Sequence, residues 1–221
     1  VRIGRYPVKL LMSPKLLRIF SYGIIFFFLS SFSDLSAQPL KVEPNDEKLL
    51  SGEPLIYRLE AEARGGYAHK LVYLVGAPVD VVWGFKTDFN NEFVLTNKFI
   101  EEHYLISRED YVVITEAKYS NRPGVKFKWR TTLSPSSYRL DFILVNPQKS
   151  RQKFHYGHIQ LEPLGQNTRV THIAYFDFFG AFLWVYYPWS GGMSAFLRYM
   201  ARWEQQTILR LREKYTGHTK R

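Results

Sequence analysis

The sequence contains no cysteine. Disulfides, thiolate metal sites, cysteine nucleophiles and a lipidated N-terminal cysteine are therefore excluded. Neither a glycine-rich phosphate loop nor a nucleophile elbow occurs, so two common chemistries of small domains lack their motifs. Acidic residues are in deficit, with 20 Asp and Glu against 30 Lys and Arg and a formal net charge of +10. The apolar run "IFSYGIIFFFLSSF", Ile19 to Phe32, falls short of the about 20 residues that a comfortable membrane span needs.

That run reads instead as the core of a targeting signal. Lys15 and Arg18 precede it, and "SDLSAQP" follows, with Ala37 as the small residue before a cut. Residues 1–37 are accordingly expected to be a signal peptide. Leu35 is bulky where a cleavage site prefers a small side chain, so retention as an uncleaved membrane anchor stays open beside cleavage. In both cases the domain after Gln38 is expected outside the cytoplasm, in the periplasm or beyond the cell. Residues 1–37 carry five Lys or Arg and one acid, so their removal takes the net charge from +10 to +6. Export leaves nucleic acid out as a partner. The remaining basic balance suits either anionic lipid headgroups or an ordinary solvated surface.

Residues 38–66 form a polar linker and lead-in, 67–216 the folded domain and 217–221 a basic tail, with the ordered part beginning near Leu55 or Tyr67. "YAHKLVYLV", Tyr67 to Val75, is rich in strand formers. Pro78 suits the first turn of a helix, whose apolar stripe is Val79, Val82 and Trp83. A second short helix is expected over Asn91 to Lys98. From there the pattern alternates with period two. Strands are read near Phe99–Ser107, Tyr111–Tyr119, Val125–Leu133, Tyr138–Val145, Lys153–Glu162 and Thr168–Phe178. Short turns such as "SRED", "SPSS" and "LGQN" separate them, so the strands form an antiparallel meander.

Side-chain alternation specifies two registers. A Gly165-Gln166 turn pairs Leu161 with Val170, Ile159 with His172 and Glu162 with Arg169. A four-residue "SPSS" loop pairs Trp129 with Phe142 and Arg130 with Asp141. After the meander, Met193, Phe196, Leu197, Met200, Trp203, Thr207, Ile208, Leu211 and Tyr215 recur at helical spacing. They predict a long amphipathic helix of about six turns.

This order of elements, together with "APVDVVWGFKTDFNNEF", "LEPLGQNTRVTHIAYF" and the long terminal helix, resembles the helix-grip superfamily of START, polyketide-cyclase and SRPBCC-type proteins. The resemblance spans about Tyr67 to Tyr215. It implies an α+β fold: a seven-stranded curved antiparallel sheet, two short helices at one end, and a long C-terminal helix closing the concave side over an apolar cavity. It also implies a hydrophobic small-molecule ligand.

Candidate ligand-binding residues are Trp129, Phe142, His155, His172 and Phe176 from the strands and Met193, Leu197 and Met200 from the helix. Aromatic and Met linings suit an adaptable apolar pocket, and the same residues can equally fill a closed core. His172 is inward by its register, either donating to a bound carbonyl or hydroxyl or satisfied within the core. His155 and His158 lie three apart on one strand and point to opposite faces, so they cannot clamp a metal together. Asp88 is a pocket acid or a cap between the two short helices. No catalytic constellation, metal or cofactor is expected.

The stretch "FDFFGAFLWVYYPWSGG", Phe176 to Gly192, joins the last strand to the long helix. Each hairpin reverses the chain, so its aromatics are expected beside the loops that carry Arg122, Lys149, Arg151 and Lys153. Trp184, Tyr187 and Trp189 ringed by these cations form either a membrane-docking mouth or a cap on the cavity entrance. The sequence thus predicts an exported, monomeric protein that binds a lipid or other hydrophobic small molecule and docks on a membrane surface. Two alternatives stay open: a cyclase- or aromatase-like enzyme using His172 with a pocket Tyr or Asp, and a module that binds another envelope protein.

Overall fold

The computed structural model describes residues 46–216 apart from 62, 64, 121–123 and 180–191. The chain runs through a short helix α1 (Asp46–Leu50) and strands β1 (Leu55–Leu59) and β2 (Tyr67–Val75). Helix α2 (Val79–Thr87) and a 3₁₀ turn (Glu92–Thr96) come next. Six strands then follow in succession: β3 (Ile100–Glu109), β4 (Val112–Tyr119), β5 (Lys126–Ser134), β6 (Arg139–Leu144), β7 (Gln152–Leu164) and β8 (Asn167–Phe178). The long helix α3 (Gly192–Arg210) and a final turn of helix α4 (Arg212–Tyr215) complete the domain.

All neighbouring strands are antiparallel, in the order β1-β2-β8-β7-β6-β5-β4-β3. The sheet has eight strands, one more than expected, because Leu55–Leu59 in the lead-in pairs with β2. That strand explains why β2 reads as a nearly continuous apolar run. Leu71, Tyr73 and Val75 face the main core, while Val72 and Leu74 on the opposite face are covered by Leu49 of α1 and by Leu55 and Tyr57 of β1. A strand buried on both faces loses its alternation.

The β7–β8 hairpin has the expected register, with Leu161 opposite Val170, Ile159 opposite His172 and Glu162 opposite Arg169 around Gly165-Gln166. The β5–β6 hairpin differs. Trp129 faces Leu144 rather than Phe142, and Arg130 faces Ile143 rather than Asp141. The turn is a 3₁₀ turn over Pro135–Ser137 that ends on Tyr138, which adopts φ 50° and ψ 45°. The loop therefore sits one residue later than "SPSS", and the pairing slides by two residues. A two-residue slide keeps every side chain on its expected face. Tyr138 is held in the left-handed region by tertiary contacts: its hydroxyl donates to Asp80 Oδ1 at 2.6 Å, and its ring meets Trp83 edge-on at 5.8 Å.

Helix α2 buries Val81, Val82 and Phe85. It packs closely on α4 because residue 84 is glycine: a Cβ there would lie 3.1 Å from the ring of Tyr215. The Tyr215 hydroxyl donates to Asp88 Oδ2 at 2.9 Å and accepts from Asn91 Nδ2 at 2.8 Å, while Lys214 Nζ donates to Asp88 Oδ2 at 2.8 Å. Burial pushes the Asp88 carboxyl up, but the hydrogen bonds from Lys214 and Tyr215 outweigh it and hold it below the usual range. Asp88 thus fastens α4 to α2. The expected second helix is the 3₁₀ turn Glu92–Thr96, capped by Asn91, whose Oδ1 accepts from the Phe93 N–H at 3.0 Å.

At 1.5 Å per residue, α3 is about 28 Å long and crosses the inner face of the sheet. Its stripe of Leu197, Ala201 and Ile208 packs with Leu71, Tyr73, Val75, Leu161 and Val170. Arg198, Arg202 and Arg210 are exposed on its other side.

Candidate functional site

Between the sheet and α3 lies a cavity of about 340 Å³. Its floor is built in rows, because inward residues of paired strands stand side by side. One row pairs Phe176 with His155. The next contains His69, Ala174, Gly157 and Phe142. The third contains Leu71, His172, Ile159 and Leu140. Gly157 is required where it stands, since a Cβ would meet the Ile173 carbonyl at 2.0 Å and the Phe142 ring at 2.8 Å.

Across this floor the rings meet edge-on. Trp129 lies 4.9 Å from His155 at 83°, and Phe142 lies 5.2 Å from His172 at 88°. Phe176 contacts His155 at 5.2 Å and stacks on His69 at 5.7 Å. Such edge-to-face contacts favour a fixed arrangement. Met193, Leu197 and Met200 of α3 supply the roof. The Met200 sulfur accepts from Nδ2 of the fully buried Asn97 at 3.1 Å. The structure therefore places Trp129, Phe142, His155, His172, Phe176, Met193, Leu197 and Met200 on one cavity wall. Leu144, inward by its register, is buried but does not reach the cavity.

Burial holds the imidazoles of both His155 and His172 at a pKa of about 3, and the charge of Lys86 adds to the effect at His172. Both are neutral at pH 7. His155 Nδ1 lies 3.1 Å from Gln152 Oε1. The amide oxygen only accepts, so Nδ1 carries the proton and Nε2 remains an acceptor. His172 Nε2 and His69 Nδ1 are buried without a protein partner. His158, on the outer face, is lowered by burial and by Arg139.

Three functional candidates escaped the sequence reading. At the α2 end of the cavity, Lys86 Nζ lies 2.5 Å from Glu204 Oε1, and the Tyr73 hydroxyl donates to Glu204 Oε2. The pair is desolvated, with 8% of the Lys86 side chain and 14% of the Glu204 side chain exposed, and all three residues line the cavity. Burial, then the adjacent carboxylate, raises the Tyr73 phenol well above its usual range. The signal was a charge on an apolar stripe: Glu204 follows Leu197 and Met200 at helical spacing, and Lys86 follows Val79 and Val82.

The fold now has recognisable counterparts. No protein-family model matches the chain, and no curated protein matches it. Among solved structures, truncated norcoclaurine synthase from Thalictrum flavum has a TM-score of 0.51 at 12% identity, over 71% of this chain and 96% of that one. A STAR-related lipid transfer protein from Xanthomonas axonopodis has a TM-score of 0.50 at 15% identity, over 68% and 94%. The chain has the helix-grip fold. Its structural neighbours are START and SRPBCC proteins.

Asp88 lies outside the cavity wall, in the junction with α4. Of the expected docking residues, Lys149 and Arg151 are exposed at the β6–β7 connection. Lys153 pairs with Asp177 at 2.7 Å. Arg122, Trp184, Tyr187 and Trp189 lie outside the described residues. The last strand does end beside the β6–β7 connection, where the Phe179 N–H donates to the Arg151 carbonyl at 3.0 Å. Among the described residues, no group of three or more His, Asp or Glu is placed to hold a metal, and no helix is long and apolar enough to cross a membrane.

Proposed function

We propose that this protein is an exported carrier of a hydrophobic small molecule, a lipid, which it holds between the sheet and α3. The observation that carries the reading is the cavity of about 340 Å³ with its predominantly aromatic and aliphatic wall. Its size is at the low end of the roughly 300–1,000 Å³ range of ligand pockets, which favours a single-chain or fused-ring body. Residues 1–37 act as the export signal or as an uncleaved anchor. The aromatic segment with Trp184, Tyr187 and Trp189 docks on the membrane, assisted by Arg122, Lys149 and Arg151.

The histidines support binding over catalysis. A general base works best with a pKa near the operating pH, whereas His155 and His172 sit at about 3. An enzymatic reading would have to run through Tyr73 and Glu204 instead. Native mass spectrometry of the detergent-free protein tests the carrier reading. Co-purification of an apolar molecule is the expected result, and a domain that stays empty after exposure to membrane extract counts against it.

A further inference from the structure

The carrier reading leaves unexplained why an apolar cavity contains a desolvated ion pair. Burying two charges costs several kcal/mol per ion, and a well-packed apolar pair is often at least as stable. Stability alone therefore gives no reason for Lys86 and Glu204. Their hydrogen-bond inventory is more informative. Both oxygens of Glu204 are engaged, one by Lys86 and one by Tyr73. The Lys86 ammonium has three donors, and Glu204 takes one of them. His172 lines the same cavity, on the same face of β8 and two positions along from the Val170 that pairs with Tyr73, and has a buried Nε2 with no protein partner. This end of the cavity thus has donors to spare on Lys86, a ring nitrogen on His172 that can donate or accept, and no net charge, since Lys86 and Glu204 cancel.

We propose that Tyr73, Lys86, Glu204 and His172 form a polar pole that recognises an uncharged oxygen, a hydroxyl or carbonyl, at the buried end of the ligand. This deepens the carrier reading and rests on it. Lys86 donates to the ligand oxygen, and a ligand hydroxyl also engages His172 Nε2. The hydrocarbon body lies over the aromatic floor toward Phe176, which is six residues, or about 20 Å, along β8 from the Val170 row opposite Tyr73. A carboxylate is disfavoured at the pole because Glu204 already neutralises Lys86 and would repel a second anion.

Three probes of one skeleton separate the terms: naphthalene, 2-naphthol and 2-naphthoate, measured by equilibrium dialysis against the full chain at pH 7.5. The expected order is 2-naphthol roughly tenfold tighter than naphthalene, the gain of about one well-placed hydrogen bond to a charged donor, with 2-naphthoate weakest. Lys86→Met combined with Glu204→Leu replaces the pair by apolar side chains; it should retain naphthalene and lose the preference for 2-naphthol. Glu204→Gln leaves Lys86 unneutralised and should raise 2-naphthoate binding roughly tenfold. Equal binding of naphthalene and 2-naphthol by the parent, or an unchanged preference in the double variant, overturns the polar pole and leaves the carrier reading standing. Failure of all three probes to bind overturns both.

Discussion

His155 and His172 occupy a setting that opposes protonation, and this has a measurable consequence. In the unfolded chain both titrate near 6.5, but in the folded protein burial keeps them neutral until about pH 3. Above pH 6.5 neither state binds the proton and stability is unaffected. As pH falls from 6.5 toward 3, only the unfolded chain takes it up, so stability drops by about 1.4 kcal/mol per pH unit for each histidine. His69, His103 and His158 are also lowered by burial and act in the same direction. The urea midpoint should therefore fall clearly between pH 7 and pH 5, a window in which unfolded carboxylates remain ionised. His172→Leu should flatten this slope and keep the fold, because it exchanges an unpartnered polar group for an apolar one. It should also change which molecules are retained. A midpoint independent of pH in the parent would show that water reaches these rings.

At the scale of elements, the roof and the floor of the cavity are each sensitive at a specific residue. Leu197 of α3 lines the cavity and packs on the core beneath it. Leu197→Asp brings a carboxylate into that apolar contact and should cost about 2–4 kcal/mol, read as a lower melting temperature. An unchanged value would mean that α3 presents a different face. On the floor, Gly157→Ala places a methyl group against the Ile173 carbonyl, which is backbone and cannot rotate away. Overpacking of this kind costs about 1–3 kcal/mol. Parent-like stability in this variant would show that β7 and β8 separate more readily than their pairing implies.

The whole molecule must also exchange its ligand with a membrane if it is a lipid carrier. Each cation near an anionic surface contributes about 1 kcal/mol, so Arg122, Lys149 and Arg151 with partly inserted rings suffice for weak, reversible association. Vesicle binding should rise with anionic lipid content and fall with salt. Trp184→Ala with Trp189→Ala should abolish sedimentation with anionic vesicles and slow ligand transfer, while a loaded protein keeps its ligand. If the double variant sediments as well as the parent, the segment is a cap on the cavity and transfer proceeds another way.

Much of this architecture is decided locally and was legible from residues alone. Alternation in β4, β5, β6 and β8 assigns each side chain to a face, bulges interrupt it in β3 and at the start of β7, and the Gly165-Gln166 turn counts the register of its own hairpin. Helical spacing from Met193 to Ile208 assigns the inner stripe of α3, whereas the single helix expected to continue to Tyr215 is interrupted at Leu211. These patterns extend over one strand, one turn or one helix, and burial on one side is enough to specify them. Other features arise only when separate elements meet. Tyr138 reads as the first residue of a strand, yet it ends a turn because Asp80 and Trp83 of α2 hold it there. Leu55–Leu59 reads only as a lead-in at which the domain can begin, because its strand character depends on the edge of β2 that it covers. Lys86 and Glu204 read as isolated charges on two apolar stripes 118 positions apart. Only the crossing of α3 over α2 brings them together and seals them from water, and that desolvation turns two ordinary surface charges into a polar end for the cavity.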